Sequence, residues 1–380
     1  MNILIAPNSY KGSLTAFEAA LAIEKGVKKI FPGAKTVKAP LADGGDGTME
    51  IMVSATGGKI RTAKVTGPLN HKITAKYGVS GNGKTFFLEM AEASGLKLVP
   101  EKKRNPMLTT TRGVGELINI AMHDGARKIV LGIGGSATND GGAGLAAALG
   151  YKLLNRNGKE IAGGGFGLVE LDRIENIEIL KKFKKLEIIV ACDVNNLLCG
   201  NSGASRIFGP QKGAGPAMVE VLDKALLKYA KIIKRDLGVN VFGLKGGGAA
   251  GGLGAGLFAF TGARLQKGIN IVMGVSNIEE KIKNADLVIT GEGQIDTQTL
   301  FGKVPVGVAL LAKKYRVPVL CLAGKIGDMN EKIYSAGISA IVPLVDGPVT
   351  LEFAMKNASA LLTEATARTF MIIKKIKLRA

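Results

Sequence analysis

The sequence predicts an α/β protein with two domains: a doubly wound parallel sheet formed from both ends of the chain, and a mixed α/β domain inserted between them. At both ends, short apolar runs alternate with amphipathic helical segments, whereas the middle has short strands in which polar residues alternate with apolar ones. A chain of 380 residues is long enough to form two cores. We place the first domain at residues 1–60 and 283–380, and the inserted domain at 61–282.

The N-terminal segment reads as a strand, a helix and a second strand. The apolar run "NILIAP" ends in a polar loop, after which Thr15 and Glu18 have the spacing of a capping box for a helix that continues to about Ile30. The run "TVKAPL" follows as a strand. Strand, helix and strand within about forty residues are typical of a βαβ unit with a buried parallel sheet.

The C-terminal segment repeats this pattern with the strands "ADLVIT", "VPVLCLAG" and "SAIVPL" and a helix through "VPVGVALLAKKY". A final helix is predicted from about Leu351 to Ile373. Because the N-terminal unit alone is too small to bury both faces of a sheet, we expect the two ends to share one sheet.

The middle of the chain predicts the strands "KITAKYGV", "KTFFLEMA", "KIVLGI" and "LEIIVACD". Helices are predicted near Gly115 to His123 and from Pro216 to Leu237. The second has Pro at its start and Gly238 after its end, which is the usual asymmetry of helix termini.

Composition limits the classes of partner and compartment. Lys and Arg number 51 against 31 Asp and Glu, a net charge of +20, which fits either an anionic partner or a basic solvated surface. The lysines are not interleaved with aromatic residues, which argues against nucleic acid. Three cysteines without metal spacing suggest thiols in a reducing cytoplasm, and the longest uncharged stretch is too glycine-rich for a membrane helix.

The stretch "GVSGNGKT", residues 78–85, matches the phosphate-binding P-loop pattern. A P-loop follows a buried central strand, but here Lys72, Thr74 and Lys76 alternate with apolar residues. One face of the preceding strand is therefore predicted to be exposed to solvent. Asn82-Gly83 is also a strong signal for a hairpin with a type I′ turn. We therefore favour a surface hairpin over a nucleotide site.

Two other glycine-rich runs have a better context for phosphates. The segment "KIVLGIGGSATNDGGAGLAAALG" predicts a strand, a turn with hydroxyl groups and a helix, so backbone amides at the start of that helix can face an anion. The run "KGGGAAGGLGAGLFAF" precedes an apolar helix and can either wrap a phosphate or serve as a flexible connection. The nucleotide-binding candidates are Gly134, Gly135, Ser136, Thr138, Asp140, Gly247, Gly248 and Gly251.

Acidic residues follow three of the predicted strands, in "PLADGGDGT", "IIVACDVNN" and "VITGEGQID". Since the carboxyl ends of parallel strands are where α/β sites assemble, these side chains can converge. Carboxylates that hold magnesium, glycine loops that bind anions, and loop lysines are together the groups that phosphoryl transfer needs. The residues concerned are Asp43, Asp46, Asp193, Glu292 and Asp296, with Lys11, Lys212 and Lys303.

Seven segments, in order along the chain, resemble the bacterial glycerate kinases of the type 1 family. They are "APNSYKGSLTAFEAA", "PLADGGDGTME", "GIGGSATNDGGAGLAAALG", "ACDVNN", "FGPQKGA", "GGGAAGGLGAG" and "ADLVITGEGQIDTQTLFGKVP". The resemblance implies ATP-dependent phosphorylation of D-glycerate with Mg²⁺, giving 2-phosphoglycerate, with 3-phosphoglycerate as the alternative. It also implies a flavodoxin-like (Rossmann-like) domain built from both chain ends, an inserted domain, and a site in the cleft between them.

Within that reaction, roles follow from side-chain chemistry. We predict Asp193, Asp296 and Lys11 as catalytic, with Asp193 or Asp296 as general base; Asp43, Asp46, Lys212 and Glu292 as substrate contacts; and Asp193, Asp296 and Glu292 as metal ligands. The expected partners are ATP and D-glycerate, without nucleic acid or membrane, in a cytoplasmic monomer or homodimer. A kinase for another small hydroxy acid and a non-catalytic nucleotide-sensing module remain as alternatives.

Overall fold

The computed structural model describes residues 1–45, 47–328 and 331–377. The chain divides into two compact units, one made of Met1–Ile51 and Ile269–Ala380, the other of Met52–Gly268. The boundaries placed from the sequence, at 60/61 and 282/283, both lie later in the chain than the bounds of these units.

The strands position the loops that carry most of the candidate site residues. They are β1 (Asn2–Ile5), β2 (Lys35–Lys38), β3 (Lys59–Thr66), β4 (Lys72–Val79), β5 (Thr85–Glu89), β6 (Lys128–Gly132), β7 (Lys152–Asn155), β8 (Leu171–Glu175), β9 (Glu187–Ala191), β10 (Arg264–Gln266), β11 (Leu287–Ile295), β12 (Val319–Ile326) and β13 (Ala340–Pro343).

The helices are α1 (Ala16–Ile30), α2 (Thr48–Ala55), α3 (Met90–Ser94), α4 (Arg112–His123), α5 (Ala143–Leu149), α6 (Gly167–Glu170), α7 (Ala204–Phe208), α8 (Pro216–Leu237), α9 (Ala249–Thr261), α10 (Gly268–Val275), α11 (Ile278–Lys283), α12 (Val304–Lys314), α13 (Lys332–Ser335), α14 (Leu351–Lys356) and α15 (Ala358–Lys377). Short 3₁₀ segments span Leu96–Leu98, Glu101–Lys103, Ile177–Lys185, Pro210–Lys212 and Thr297–Phe301. None of the helices in the described ranges has the length and apolarity needed to cross a bilayer.

The first unit contains a parallel sheet in the order β13-β12-β11-β1-β2. All four neighbouring pairs are parallel, and β1 from the N-terminal segment pairs with β11 from the C-terminal one. Counted along the chain within this sheet, the order is 2-1-3-4-5, that of flavodoxin-like doubly wound sheets. The prediction that both chain ends share one parallel sheet is confirmed.

Helix α1 begins as the sequence predicts. Thr15 Oγ1 accepts a hydrogen bond from the Glu18 amide, and the Glu18 carboxylate accepts one from the Thr15 amide, so the capping box is complete. The helix packs closely on α15, since a Cβ added to Gly26 would lie 2.5 Å from the carbonyl oxygen of Thr363. The single final helix predicted over residues 351–373 is instead two helices, α14 and α15, separated at Asn357.

The second unit contains a mixed sheet in the order β10-β9-β6-β5-β4-β3. The pairs β5–β6, β6–β9 and β9–β10 are parallel. The pairs β3–β4 and β4–β5 are antiparallel. The long helix α8 begins with Pro216 and ends at Gly238, whose φ of +72° is left-handed. The predicted start and end of this helix are confirmed.

The "GVSGNGKT" stretch is a hairpin between β4 and β5. Strand β4 lies next to the edge of the sheet and has one exposed face, which confirms the prediction against a P-loop. The predicted type I′ turn is wrong, because only Gly83, with φ of +70°, is left-handed. The loop is longer than two residues: the Ser80 amide donates to the Thr85 carbonyl, and Asn82 Oδ1 accepts from the Lys84 amide.

Candidate active site

The parallel sheet of the first unit has a topological switch point between β1 and β11. From β1 the chain continues to one side of the sheet, toward β2, and from β11 it continues to the other side, toward β12. Ligands of doubly wound sheets bind in the crevice that this divergence opens at the carboxyl ends of the strands. A ligand site in this unit is therefore expected at the segment after β1 and the end of β11.

Glu292 lies at this point, on the strand rather than after it. The sequence predicts a loop after "ADLVIT", but β11 continues to Ile295, and Glu292 pairs in register with Ala323 of β12. Its side chain is only 5% exposed. The extra strand length arises because "GEGQI" pairs with β12, which continues to Ile326, a tertiary contact that a local pattern does not reveal.

The Glu292 carboxylate has a strongly perturbed environment. Its Oε1 accepts a hydrogen bond from Thr299 Oγ1 at 3.0 Å, and Lys303 Nζ is 3.8 Å from the same oxygen. Burial raises the pKa of Glu292 to about 7; Lys303 and Thr299 oppose the shift, while the charges of Asp43 and Asp296 add to it. A carboxyl group that titrates near neutral pH at a switch point is a candidate for proton transfer or ligand binding.

Thr299 is a site residue that the sequence analysis missed. Its hydroxyl donates to Glu292 and accepts a hydrogen bond from the Asp296 amide at 3.1 Å, so one buried side chain links both acidic residues. Asp296 itself is half-buried, and its Oδ2 accepts from Gln294 Nε2 at 2.8 Å. The only sequence signal for Thr299 is its spacing of three residues from Asp296, which is common to many helical turns.

The loops after β1 and β2 bring further candidates to this cluster. Asn8 is buried and its Nδ2 donates to Asp43 Oδ2 at 3.4 Å. Lys11 is exposed, and its amide nitrogen lies 3.4 Å from where a Cβ on Gly293 would be. Asp43, Glu292, Asp296, Lys303 and Lys11 thus belong to one unit, whereas Asp46, also predicted from the sequence, lies outside the described residues.

In the second unit, Asp140 serves as a buried cap. Its carboxylate accepts hydrogen bonds from the Thr111 amide and hydroxyl, both at 2.9 Å, and from the amides of Gly142 and Gly144. Helix α5 begins at Ala143, so the expectation that Gly134 to Thr138 form its N-terminus is wrong. The carboxylate of Asp140 therefore accepts from amides at the start of α5.

Lys212 is buried as well, with 1% of its surface exposed. Its Nζ donates to the Thr138 carbonyl at 2.7 Å, and burial lowers its pKa to about 7, partly offset by the charge of Asp140. This contact is with the protein's own loop. The predicted substrate contact of Lys212 therefore has no support from its position.

The two glycine runs of the second unit pack against each other. The Gly141 amide donates to the Gly251 carbonyl at 3.0 Å, and a Cβ added to Gly251 would lie 1.9 Å from the Thr138 carbonyl oxygen. A Cβ on Gly248 would lie 2.1 Å from the Leu197 carbonyl oxygen. These glycines permit close approach of backbone to backbone. Among the predicted nucleotide contacts, Gly134 and Gly135 are exposed, whereas Ser136, Thr138, Asp140, Gly247, Gly248 and Gly251 are buried.

Asp193 follows β9, as predicted, and is exposed. Its Oδ1 accepts a hydrogen bond from the Gly268 amide at 3.0 Å. Asp193 belongs to the second unit, and the other two predicted metal ligands, Glu292 and Asp296, belong to the first. Across the described part of the chain, no three or more His, Cys, Asp or Glu side chains form a group that could hold a metal ion.

Nearly the whole chain matches known proteins. A model described as the glycerate kinase family matches residues 3–374. The chain belongs to the glycerate kinase family. The resemblance seen in the sequence, and with it the prediction of an enzyme of this family, is confirmed.

Relatives of this family member cover nearly the entire chain. It is 54% identical over 358 residues to the "Glycerate 2-kinase" of Escherichia coli K12, a match that covers 94% of each chain. It is 49% identical to the "Glycerate kinase" of Bacillus subtilis 168, covering 97% of this chain and 96% of that one. A crystal structure of a proposed glycerate kinase 2 from Salmonella typhimurium LT2 superposes with a TM-score of 0.91 at 50% identity, covering 100% and 99%.

Proposed function

We propose that this protein transfers the γ-phosphoryl group of ATP to D-glycerate and forms 2-phosphoglycerate. The family and the names of its relatives supply the reaction class. The observation that carries the proposal is the Glu292 cluster, in which a buried carboxyl group with a pKa of about 7 lies beside Lys303 at the switch point of a parallel sheet.

Phosphoryl transfer is catalysed mainly by positioning and by neutralising charge. Lys303 and Lys11 are the cations that we assign to phosphoryl or carboxylate oxygens, since both belong to the unit that holds Glu292. Glu292 and Asp43 contact the hydroxyl groups of the acceptor. The proton of the attacking hydroxyl passes to a carboxylate, for which Asp296 and Asp193 both remain candidates.

The carboxylates of the first unit fit the chemistry of Mg²⁺. This ion takes oxygen ligands and is bound in kinases by one or two carboxylates together with substrate phosphates and waters, so a complete protein cage is not required. Glu292 and Asp296 are the residues that would hold it. The negative charge of Asp43 acts on Glu292 as well. When bound, the ion would supply positive charge that offsets the negative charge of the phosphate oxygens.

The glycine runs of the second unit keep a narrower role in this proposal. Gly134 and Gly135 are exposed and remain candidates for phosphate contact. The buried residues of the two runs determine the shape of the loops to which they belong. The location of the site between the two domains, a cytoplasmic protein, and a monomer or homodimer stay predictions. A product phosphorylated at the 3-position and another hydroxy-acid acceptor are the alternatives.

A coupled assay tests the reaction and its product. We expect the purified protein with ATP, Mg²⁺ and D-glycerate to form ADP and to give a signal with enolase alone, because enolase uses the 2-phosphate directly. ADP without an enolase signal would assign the 3-phosphate instead. Absence of ADP formation with D-glycerate would contradict the proposed reaction, and ATP binding without turnover would favour the nucleotide-sensing module.

Asparagine variants of the two aspartates decide which one takes the proton. We expect Asp193→Asn to lose most of kcat while folding normally, since Asn keeps an acceptor for the Gly268 amide but cannot take a proton. Asp296→Asn is the matched variant in the first unit. Near wild-type kcat in Asp193→Asn, with a loss in Asp296→Asn, would assign the proton to Asp296.

A further inference from the structure

The first unit contains a cavity of about 470 Å³ at the carboxyl ends of β1 and β2. Its walls come from the loop after β1, the start of α1, the loop after β2 and the start of α2. A cavity of this volume is in the size class of pockets for drug-sized ligands, and a three-carbon acid fills only a small part of it. The volume fits a purine nucleoside much better than glycerate.

The lining of the cavity has the character of a nucleoside pocket. Apolar side chains form much of its wall, as is usual where a flat heterocycle is buried. The apolar lining includes the half-buried side chains of Leu14 and Phe17 and the buried side chains of Leu41 and Ile51.

Glu50 supplies an unused hydrogen-bond acceptor in this wall. Its Oε2 is buried and has no hydrogen-bond partner. A carboxylate accepts hydrogen bonds only, and leaving it unpaired when buried is costly, so a ligand that donates an N–H or O–H group is favoured there. The carboxylate of glycerate would meet like charge, whereas the amino group of adenine and the hydroxyls of ribose are neutral donors.

The cavity adjoins the cluster already described. Asn8 lines the cavity and donates to Asp43, whose charge contributes to the raised pKa of Glu292. Lys11 also lines it and is exposed. A nucleoside in the cavity can therefore direct its phosphates toward the cation Lys11 of the same unit.

From these observations we propose that the cavity binds the nucleoside of the phosphoryl donor and that Glu50 accepts a hydrogen bond from it. This inference rests on the proposed function and adds to it the location of the nucleoside and a role for Glu50, the last residue of the segment "PLADGGDGTME". The acceptor would then bind outside this cavity.

Calorimetric titration with ADP in magnesium buffer tests the proposal. Glu50→Ala should raise the Kd for ADP by roughly 10- to 100-fold, as expected for loss of one hydrogen bond to a charged group. Glu352→Ala removes an exposed first-turn glutamate of α14 and should leave the Kd within about two-fold. Glu50→Gln keeps the size of the side chain and controls for packing, and thermal unfolding verifies that each variant folds.

Two ADP analogues identify the donor group. Purine riboside 5′-diphosphate lacks the adenine amino group, and 2′,3′-dideoxy-ADP lacks the ribose hydroxyls. One of them should bind wild-type protein more weakly than ADP, and that difference should vanish in Glu50→Ala. If both analogues bind wild-type protein as ADP does, Glu50 does not contact the nucleoside and the inference fails.

Failure of this inference can be told apart from failure of the proposed function. Wild-type protein that neither binds ADP nor phosphorylates D-glycerate would contradict the function itself. If the wild-type protein phosphorylates D-glycerate and folded Glu50→Ala binds ADP with an unchanged Kd, only the nucleoside site would be overturned. A raised KM for D-glycerate with unchanged ADP binding would assign the cavity to the acceptor and overturn the inference as well.

Discussion

Replacement of Glu292 by Gln should lower kcat for phosphorylation of D-glycerate by roughly two to four orders of magnitude, the range for loss of an acid–base or charge-stabilising group. Gln has nearly the same shape and can still accept the hydrogen bond of Thr299. It can neither take up a proton nor balance the charge of Lys303. The measurement is steady-state kinetics with D-glycerate varied at saturating ATP.

Thr299 provides the matched pair for this experiment. Thr299→Ser keeps the hydroxyl that links Glu292 to the Asp296 amide, whereas Thr299→Val keeps the shape and removes the hydroxyl. The serine variant should therefore retain much more kcat than the valine variant. Kinetics of Glu292→Gln within two- or three-fold of wild type, with normal folding, would exclude Glu292 from the reaction.

The same substitution should change how stability depends on pH in metal-free buffer. The pKa of Glu292 is about 7 in the folded protein against an ordinary 4.5, because burial and the charges of Asp43 and Asp296 outweigh Lys303 and Thr299. The stabilisation that this raised pKa provides is fully present below pH 4.5, and it is lost as the pH rises through 7. Glu292→Gln stays neutral, so its Tm at pH 8 should exceed that of wild type. Identical Tm profiles from pH 5 to pH 8 would contradict the buried, titrating carboxyl group.

Replacement of Gly251 by Ala should destabilise the second unit by about 3 to 5 kcal/mol, from the left-handed backbone and the steric overlap together. Gly251 has φ of +70°, and its added Cβ would lie 1.9 Å from the Thr138 carbonyl oxygen. Lys212 donates to that same oxygen, so the backbone cannot shift without disturbing a buried lysine. Urea denaturation followed by circular dichroism measures the change in the free energy of unfolding.

Gly262→Ala is a close control, because Gly262 has the same φ of +70° and no atom within 4 Å of its added Cβ. It should cost about 1 to 2 kcal/mol, from the left-handed conformation alone. Equal losses in the two variants would show that the glycine runs are not held together by close backbone packing. A change in ADP affinity in Gly251→Ala at full folding would instead return a ligand-binding role to this run.

Much of the local structure was predictable because it depends on local interactions. The capping box of Thr15 and Glu18, the start and end of α8, and the β4–β5 hairpin all follow from contacts between residues a few positions apart. The alternation of the polar residues Lys72, Thr74 and Lys76 with apolar ones indicates a strand with one solvent-exposed face. This was enough to exclude a P-loop, although the motif matches at every position. The family was equally readable, because long motifs in order carry more information than a short pattern.

The roles of single residues were predicted less well, because burial and distant partners determine them. Asp140 and Lys212 read in the sequence as ligand-binding groups, but both are enclosed by the protein's own loops. Thr299 and Glu50 lie within two of the segments that resemble the family, but no local pattern distinguished them as site residues. Thr299 matters only because the extended β11 places Glu292 next to it, and Glu50 only because α2 turns its carboxylate into a cavity wall.

By itself, the sequence determined the family, the parallel sheet shared by both chain ends and the set of acidic residues available for chemistry. The tertiary structure decided which of these residues are enclosed and which have unused hydrogen-bonding capacity. The physical reason is that a glycine-rich run has the same composition whether it surrounds a phosphate or another strand of backbone. Only the atoms that meet each glycine, such as the Thr138 carbonyl at Gly251, distinguish the two.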